Sequence, residues 1–179
     1  SIMALIKLNN QSISAVSALP SGIDTGKIGQ VVSTFVNTVV SITSTSTTDV
    51  TGMSVSITPS ATSSKILVIN DAKFGCSTGN LFQVSMFRDS TEISGGNNSG
   101  IGSRSTGIFQ ADGSSGILDI FNTSTTFLDS PNSTSSLTYK LRGRVYASGP
   151  TLKLNATGTD RDPNDVRTGS SITVMEILA

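Results

Sequence analysis

The clearest pattern along the chain is alternation. In Met53-Ser-Val-Ser-Ile-Thr58 the apolar side chains fall on one side and the hydroxyls on the other. That is the period of a half-buried strand, and Pro59 stops it. A longer copy of the pattern runs from Leu137 to Tyr146, with Leu137, Tyr139, Leu141 and Val145 on one face and Thr138, Lys140, Arg142 and Arg144 on the other. Gly143 falls on the apolar face, which predicts a bend or the close approach of another backbone. Ile66-Leu-Val-Ile69 does not alternate; four apolar residues between turn signals predict a central strand covered on both faces. Further strands are predicted over 30–43, 81–88, 108–111, 116–121, 125–128, 151–155 and 171–178, from their Val, Ile, Leu and Phe content. Asp89-Ser-Thr91 reads as a tight turn into a short return strand at Glu92-Ile93, and 44–49 as a hydroxyl-rich turn or edge.

No segment repeats apolar residues at i, i+3, i+4 and i+7, and no fixed-period repeat or heptad occurs. About ten short strands separated by turn signals predict an all-β chain, an antiparallel sandwich of jelly-roll type. Scaffolds that need helices between their strands are excluded. Residues 1–28 lack a sustained period and are broken by Pro20 and Gly22, so they read as an extended arm whose apolar residues need a partner surface. The head then occupies 29–179. With Met3 as a natural start, Ser1-Ile2 are an added remnant. Two loops stand out: 94–107, rich in Gly, Asn and Ser, and 157–169, which holds the densest charge.

Composition narrows the chemistry. Ser and Thr supply 54 of 179 residues, so the exposed strand faces are hydroxylic rather than charged. The formal net charge is zero, which excludes the broad basic surface of a nucleic-acid binder. No run of 18 apolar residues exists, so membrane insertion is not expected, and residues 1–20 lack a secretory signal pattern. The absence of His removes the commonest general base and metal ligand. A single Cys, Cys76, excludes disulfides within the chain and thiolate zinc sites, and reads as a buried inert thiol. No cofactor is expected.

Asp160, Asp162 and Asn164 occupy the first, third and fifth places of a calcium loop, but the sixth is Asp165 rather than Gly and the twelfth Ser171 rather than Glu. The segment reads better as a solvated loop in which Arg161 and Arg167 pair with the aspartates or with a neighbouring subunit. Ten Asp residues offer many carboxylate pairs and no spacing selects one, so no catalytic residue is assigned and no enzyme is expected. Asn97, Asn98 and Arg104 in one loop, with Arg161 and Arg167 in the other, carry the hydrogen-bonding groups a sugar needs; the lack of Trp counts against them. Phe121, Phe127, Tyr139 and Tyr146 are candidates for a subunit interface, with ordinary core as the alternative.

The opening Met3-Ala-Leu-Ile-Lys-Leu-Asn-Asn-Gln-Ser12 resembles the start of virion proteins from tailed phages of marine bacteria, cyanophages among them. The close Ser171-Ile-Thr-Val-Met-Glu-Ile177 looks like the last strand of small phage fibre and appendage heads. The order of Asp49-Val-Thr-Gly-Met-Ser-Val-Ser-Ile-Thr-Pro59, Ser64-Lys-Ile-Leu-Val68, Phe87-Arg-Asp89 and Glu92-Ile93 is similar to that in those heads. The resemblance implies a jelly roll of the kind shared by complement globular heads and tumour-necrosis-factor-like ligands, usually a homotrimer. It implies a virion protein made in the bacterial host cytoplasm, a tail-fibre or spike-type head for host attachment. Residues 3–28 would dock it onto other virion proteins, and a host surface glycan would be its target. A decoration protein bracing the particle and a secreted carbohydrate-binding module are the alternatives.

Overall fold

The computed structural model describes residues 27–77, 81–93, 109–112, 118–161 and 163–178, with 109–112 described by its backbone. These residues form eleven strands and no helix: β1 (Ile28–Val36), β2 (Val40–Ile42), β3 (Thr48–Ile57), β4 (Lys65–Cys76), β5 (Leu81–Arg88), β6 (Thr91–Glu92), β7 (Phe109–Asp112), β8 (Phe121–Asp129), β9 (Leu137–Val145), β10 (Leu152–Leu154) and β11 (Ser170–Ile177). All pairings are antiparallel, and they build two sheets. The first runs β1-β11-β4-β8. Near the end of the long β4, β10 replaces β11 on its edge and carries β2 outward. The second runs β3-β9-β5, with β7 and β6 sharing the far edge of β5. Strands adjacent in sequence repeatedly cross between sheets, a winding of jelly-roll type. The all-β antiparallel sandwich expected from the pattern is therefore what the chain forms.

The core lies between the sheets and follows the period of two. From β3 come Val50, Met53, Val55 and Ile57; from β9, Leu137, Tyr139, Leu141 and Val145. Opposite them lie Ile66, Val68, Ala72 and Phe74 of β4 with Ile172 and Val174 of β11. Val50 and Met53 lie three apart yet both face inward, because a bulge shifts the β3–β9 register between Asp49 and Ser54. Gly143 is buried, and a Cβ there would lie 3.1 Å from both Ile42 Cδ1 and Leu152 Cδ2. The space at Gly143 is thus taken mainly by two side chains from the opposite sheet, with the Gln83 backbone oxygen farther off at 3.7 Å, rather than by a closely approaching backbone.

Several boundaries differ from the sequence pattern. The strand expected over 30–43 is two strands, because β1 pairs with β11 whereas β2 pairs with β10, and the chain must step between them. Of the turn or edge expected over 44–49, Thr48 and Asp49 are edge: they pair with Gly143 and Arg142 as the start of β3, which rims its sheet. Residues 118–120 are not strand; β8 begins at Phe121, opposite Phe74, close to where β4 ends. The largest difference concerns Ile66-Leu-Val-Ile69. Its strand is central, but Leu67 and Ile69 point away from the core and are only half-buried, so among the described residues one face of the run is fully covered and the other only in part.

Candidate functional site

The loop after β10 is tied together by one carboxylate. Asp165 Oδ2 accepts hydrogen bonds from Thr157 Oγ1 at 2.7 Å, Thr159 Oγ1 at 2.8 Å and the Arg161 backbone N–H at 2.8 Å. Its Oδ1 accepts from Arg161 Nη2 at 3.0 Å. Arg167 meets Asp160 Oδ1 through Nε at 2.9 Å. The four side chains Asp160, Arg161, Asp165 and Arg167 line a hollow of about 160 Å³. The Arg161 guanidinium, its backbone N–H and the Thr157 hydroxyl hold the Asp165 carboxyl well below the usual carboxylate range. The Arg167 guanidinium does the same, less strongly, for Asp160. Both are therefore ionised at neutral pH, which suits hydrogen-bond acceptors and not a proton donor.

The arginines keep much of their surface while paired: the Arg161 and Arg167 side chains are 54% and 60% exposed, and Val166 between them is 66% exposed. Of the calcium-loop residues, Asp160 is engaged by Arg167 and Asn164 donates its backbone N–H to Arg161 O. Asp162 lies outside the described residues. Among the described residues no group of three or more His, Cys, Asp or Glu could hold a metal ion. Asn97, Asn98 and Arg104 also lie outside the described residues, as does most of the arm at 1–28.

The remaining polar clusters hold the sandwich together. Glu176, on the inner face of β11, is buried. Its Oε1 accepts from Ser60 N at 2.6 Å and Ser60 Oγ at 2.7 Å, and its Oε2 accepts from Gln30 Nε2 at 2.8 Å. Burial alone would raise its pKa, but the donors from Gln30 and Ser60 outweigh it and hold the carboxyl at about 2. Asp129 on β8 bridges the two sheets, accepting from Tyr139 Oη at 2.7 Å and from Arg88 Nη1 at 2.5 Å. Burial, and then Asp129 itself, push the Tyr139 phenol far above its ordinary range. Asn155 is fully buried. Its Nδ2 donates to Val36 O at 2.8 Å and Thr38 O at 3.1 Å, and its Oδ1 accepts from Ser170 Oγ at 2.5 Å.

The four aromatics considered for a subunit interface fall in different places. Tyr139 has no exposed surface and belongs to the core, which leaves nothing of it for a second chain. Phe121 and Phe127 share the inward face of β8 and pack against the core, with the Phe121 ring 5.7 Å from that of Phe82. Tyr146 is 38% exposed; its hydroxyl donates to Gln83 Oε1, and the Arg144 guanidinium lies 4.4 Å above its ring. Cys76 is buried among the core residues of β4.

The outer surfaces of the two sheets are unlike. The outer face of β3-β9-β5 carries Asp49, Lys140, Arg142 and Arg144, with Lys140 Nζ 2.8 Å and Arg142 Nε 3.0 Å from the Asp49 carboxylate. The outer face of β1-β11-β4-β8 places Val31, Met175, Leu67 and Leu128 side by side across all four strands. Sequence reasoning missed this row because each residue sits on a different strand and only the register brings them together.

No protein-family model matches the chain, and no curated protein matches it. Among solved structures the chain is similar to a mutant VP2 protein of infectious bursal disease virus, determined in T=1 particles, with 14% sequence identity and a TM-score of 0.39. The match covers 99% of this chain and 41% of that one, so the chain spans about two fifths of the length of the structure it matches. These findings name no marine-phage protein and no tumour-necrosis-factor-like ligand.

Proposed function

We propose that this chain is a structural protein of a virus particle: the head of a tail-fibre or spike-type appendage, built from three copies, that attaches the particle to a host surface glycan and performs no chemistry itself. The jelly-roll winding supports the reading, because it is the fold that the resemblance to appendage heads implies. The use of the carboxylates supports the absence of chemistry. Asp129, Asp160, Asp165 and Glu176 are each committed to structural donors, and the pKa values of Asp160, Asp165 and Glu176 are lowered, where a general acid needs one raised.

The observation that carries the attachment reading is the loop over 157–169. It is fixed by Asp165 before any ligand arrives, and it presents two exposed guanidinium groups beside two carboxylates around a small hollow. Paired in this way these four groups cancel in charge, and the cluster offers guanidinium donors beside the partly exposed Asp160 carboxylate, which suits the hydroxyls of a neutral sugar. Pre-organisation spares the loop the ordering cost of binding.

The test is a glycan array, followed by retention on the cells whose polysaccharide is recognised. The intact protein should bind, and the double variant Arg161→Ala/Arg167→Ala should bind at least tenfold more weakly with an unchanged circular dichroism spectrum. Release of reducing sugar by the wild-type protein would overturn the non-enzymatic reading. Equal binding by the double variant would remove the loop from the site.

A further inference from the structure

The outer face of the β1-β11-β4-β8 sheet is built to be covered. Val31 pairs with Met175, Met175 with Leu67, and Leu67 with Leu128, so one apolar row crosses the whole sheet. The next row along the strands adds Ile69 between Thr173 and Thr126, and the row on the other side pairs Ile28 with Ile177. Four of the large apolar side chains that stand exposed are on this one surface: Ile28 at 55%, Val31 at 54%, Phe35 at 68% and Leu128 at 48%. Scattered exposed apolar residues need no explanation, but a contiguous row in register does.

We propose that copies of this chain meet through this face around a three-fold axis, so that its occupant is the same face of neighbouring copies of the chain. Three observations select a copy of itself. The first is charge. Of the side chains on these rows only Lys65, Asp71 and Lys73 are ionic, and Lys73 pairs with Asp71 within β4, so the apolar row meets its own copy without like-charge repulsion. The opposite sheet, where Lys140 and Arg142 share Asp49 and Arg144 stands at the next alternate position of β9, would face itself with an excess of positive charge. The second is size. Four strands about 4.8 Å apart, with four rows each about 7 Å along the strand, span on the order of 500 Å² before side-chain relief is counted. Three such faces gathered on one three-fold axis take on the order of 1,500 Å² out of water in all, within the range of specific interfaces. The third is the run Ile66-Leu-Val-Ile69. Its composition is that of a strand covered on both faces, and the described residues cover fully only the face with Ile66 and Val68, leaving Leu67 and Ile69 half-buried.

The proposal deepens the three-copy reading given above and rests on it, replacing the aromatic candidates by Val31, Leu67, Leu128 and Met175. The experiment is molar mass by light scattering on the full chain, wild type beside Leu67→Asp and Met175→Asp, with Val166→Asp, which is not on these rows, as a control. Leu67→Thr and Met175→Thr keep strand propensity in case a charge prevents folding. Wild type and V166D should have three times the chain mass of 18.5 kDa. The Asp variants should run as single chains with native circular dichroism, a weakening of roughly 100-fold or more, and the Thr variants should shift in the same direction. Trimers in every variant would overturn the assignment of this face while leaving the three-copy reading intact. A monomeric wild type would overturn both, and a Lys7–Lys65 cross-link within that monomer would identify the chain's own N-terminal residues as the occupant. Glycan binding is measured separately, so its outcome stands apart from all of these.

Discussion

Replacing Glu176 by Gln keeps the volume of the side chain and removes its charge, and the surrounding donors make the consequence calculable. The carboxylate receives three hydrogen bonds, two from Ser60 on Oε1 and one from Gln30 on Oε2. A glutamine oxygen can take the place of Oε1, so the Ser60 bonds survive without charge assistance. The glutamine NH₂ then faces Gln30 Nε2, a donor against a donor. Gln30 cannot simply turn its amide over, because the same Nε2 donates to Thr58 O at 2.7 Å. One charge-assisted bond lost and two weakened amount to about 2–3 kcal/mol. For a chain of this size that is a fall of roughly 5–10 °C in Tm. The pH dependence has a definite sign. The folded-state pKa is about 2 against an ordinary 4.5, so the stabilisation is complete above pH 4.5 and is lost as the pH falls from there toward 2. Glu176→Gln has no such group. The gap between wild type and variant should therefore be full at pH 7 and close between pH 4.5 and 2. Urea denaturation followed by circular dichroism at several pH values measures it. A gap below about 0.5 kcal/mol at pH 7, or one that stays constant down to pH 2.5, refutes the reasoning.

Other substitutions test the rest of the framework. Tyr139→Phe deletes the 2.7 Å bond to Asp129 and leaves the ring in place, so it should cost about 1–2 kcal/mol in the same urea assay. Gly158→Ala should cost about 3 kcal/mol or more, or abolish folding, because the new Cβ would lie 1.9 Å from Cys76 O, and expression with circular dichroism reads this directly. Asp165→Asn should accelerate tryptic cleavage after Arg161 and Arg167 about tenfold, since the bonds that fix the loop weaken while the sandwich stays intact.

The strands were legible where one face is core and the other solvent. Met53 to Ile57 and Leu137 to Val145 alternate in sequence and alternate in burial. The same parity places Glu176 with Ile172 and Val174 on the inner face of β11, so the buried carboxylate was signalled by its position in the strand. Its partners were not, because Gln30 and Ser60 lie more than a hundred residues away. The pattern marks Tyr139 only as core or interface and does not single out Asp129 at all, because their bond exists only once the two sheets pack together. Arg161 and Arg167 were expected to pair with aspartates and do so, whereas the role of Asp165 as the centre of that loop depends on Thr157 and Thr159 folding back onto it. Ile66 to Ile69 carried a true signal with an incomplete reading: the composition asks for cover on both faces, and the described residues provide it fully on one.

The account depends most on that missing cover. Sedimentation equilibrium of the unmodified protein over a range of micromolar concentrations tests it without any variant. Three times the chain mass of 18.5 kDa, held on dilution, is the expected result. A single-chain mass at every concentration would contradict it.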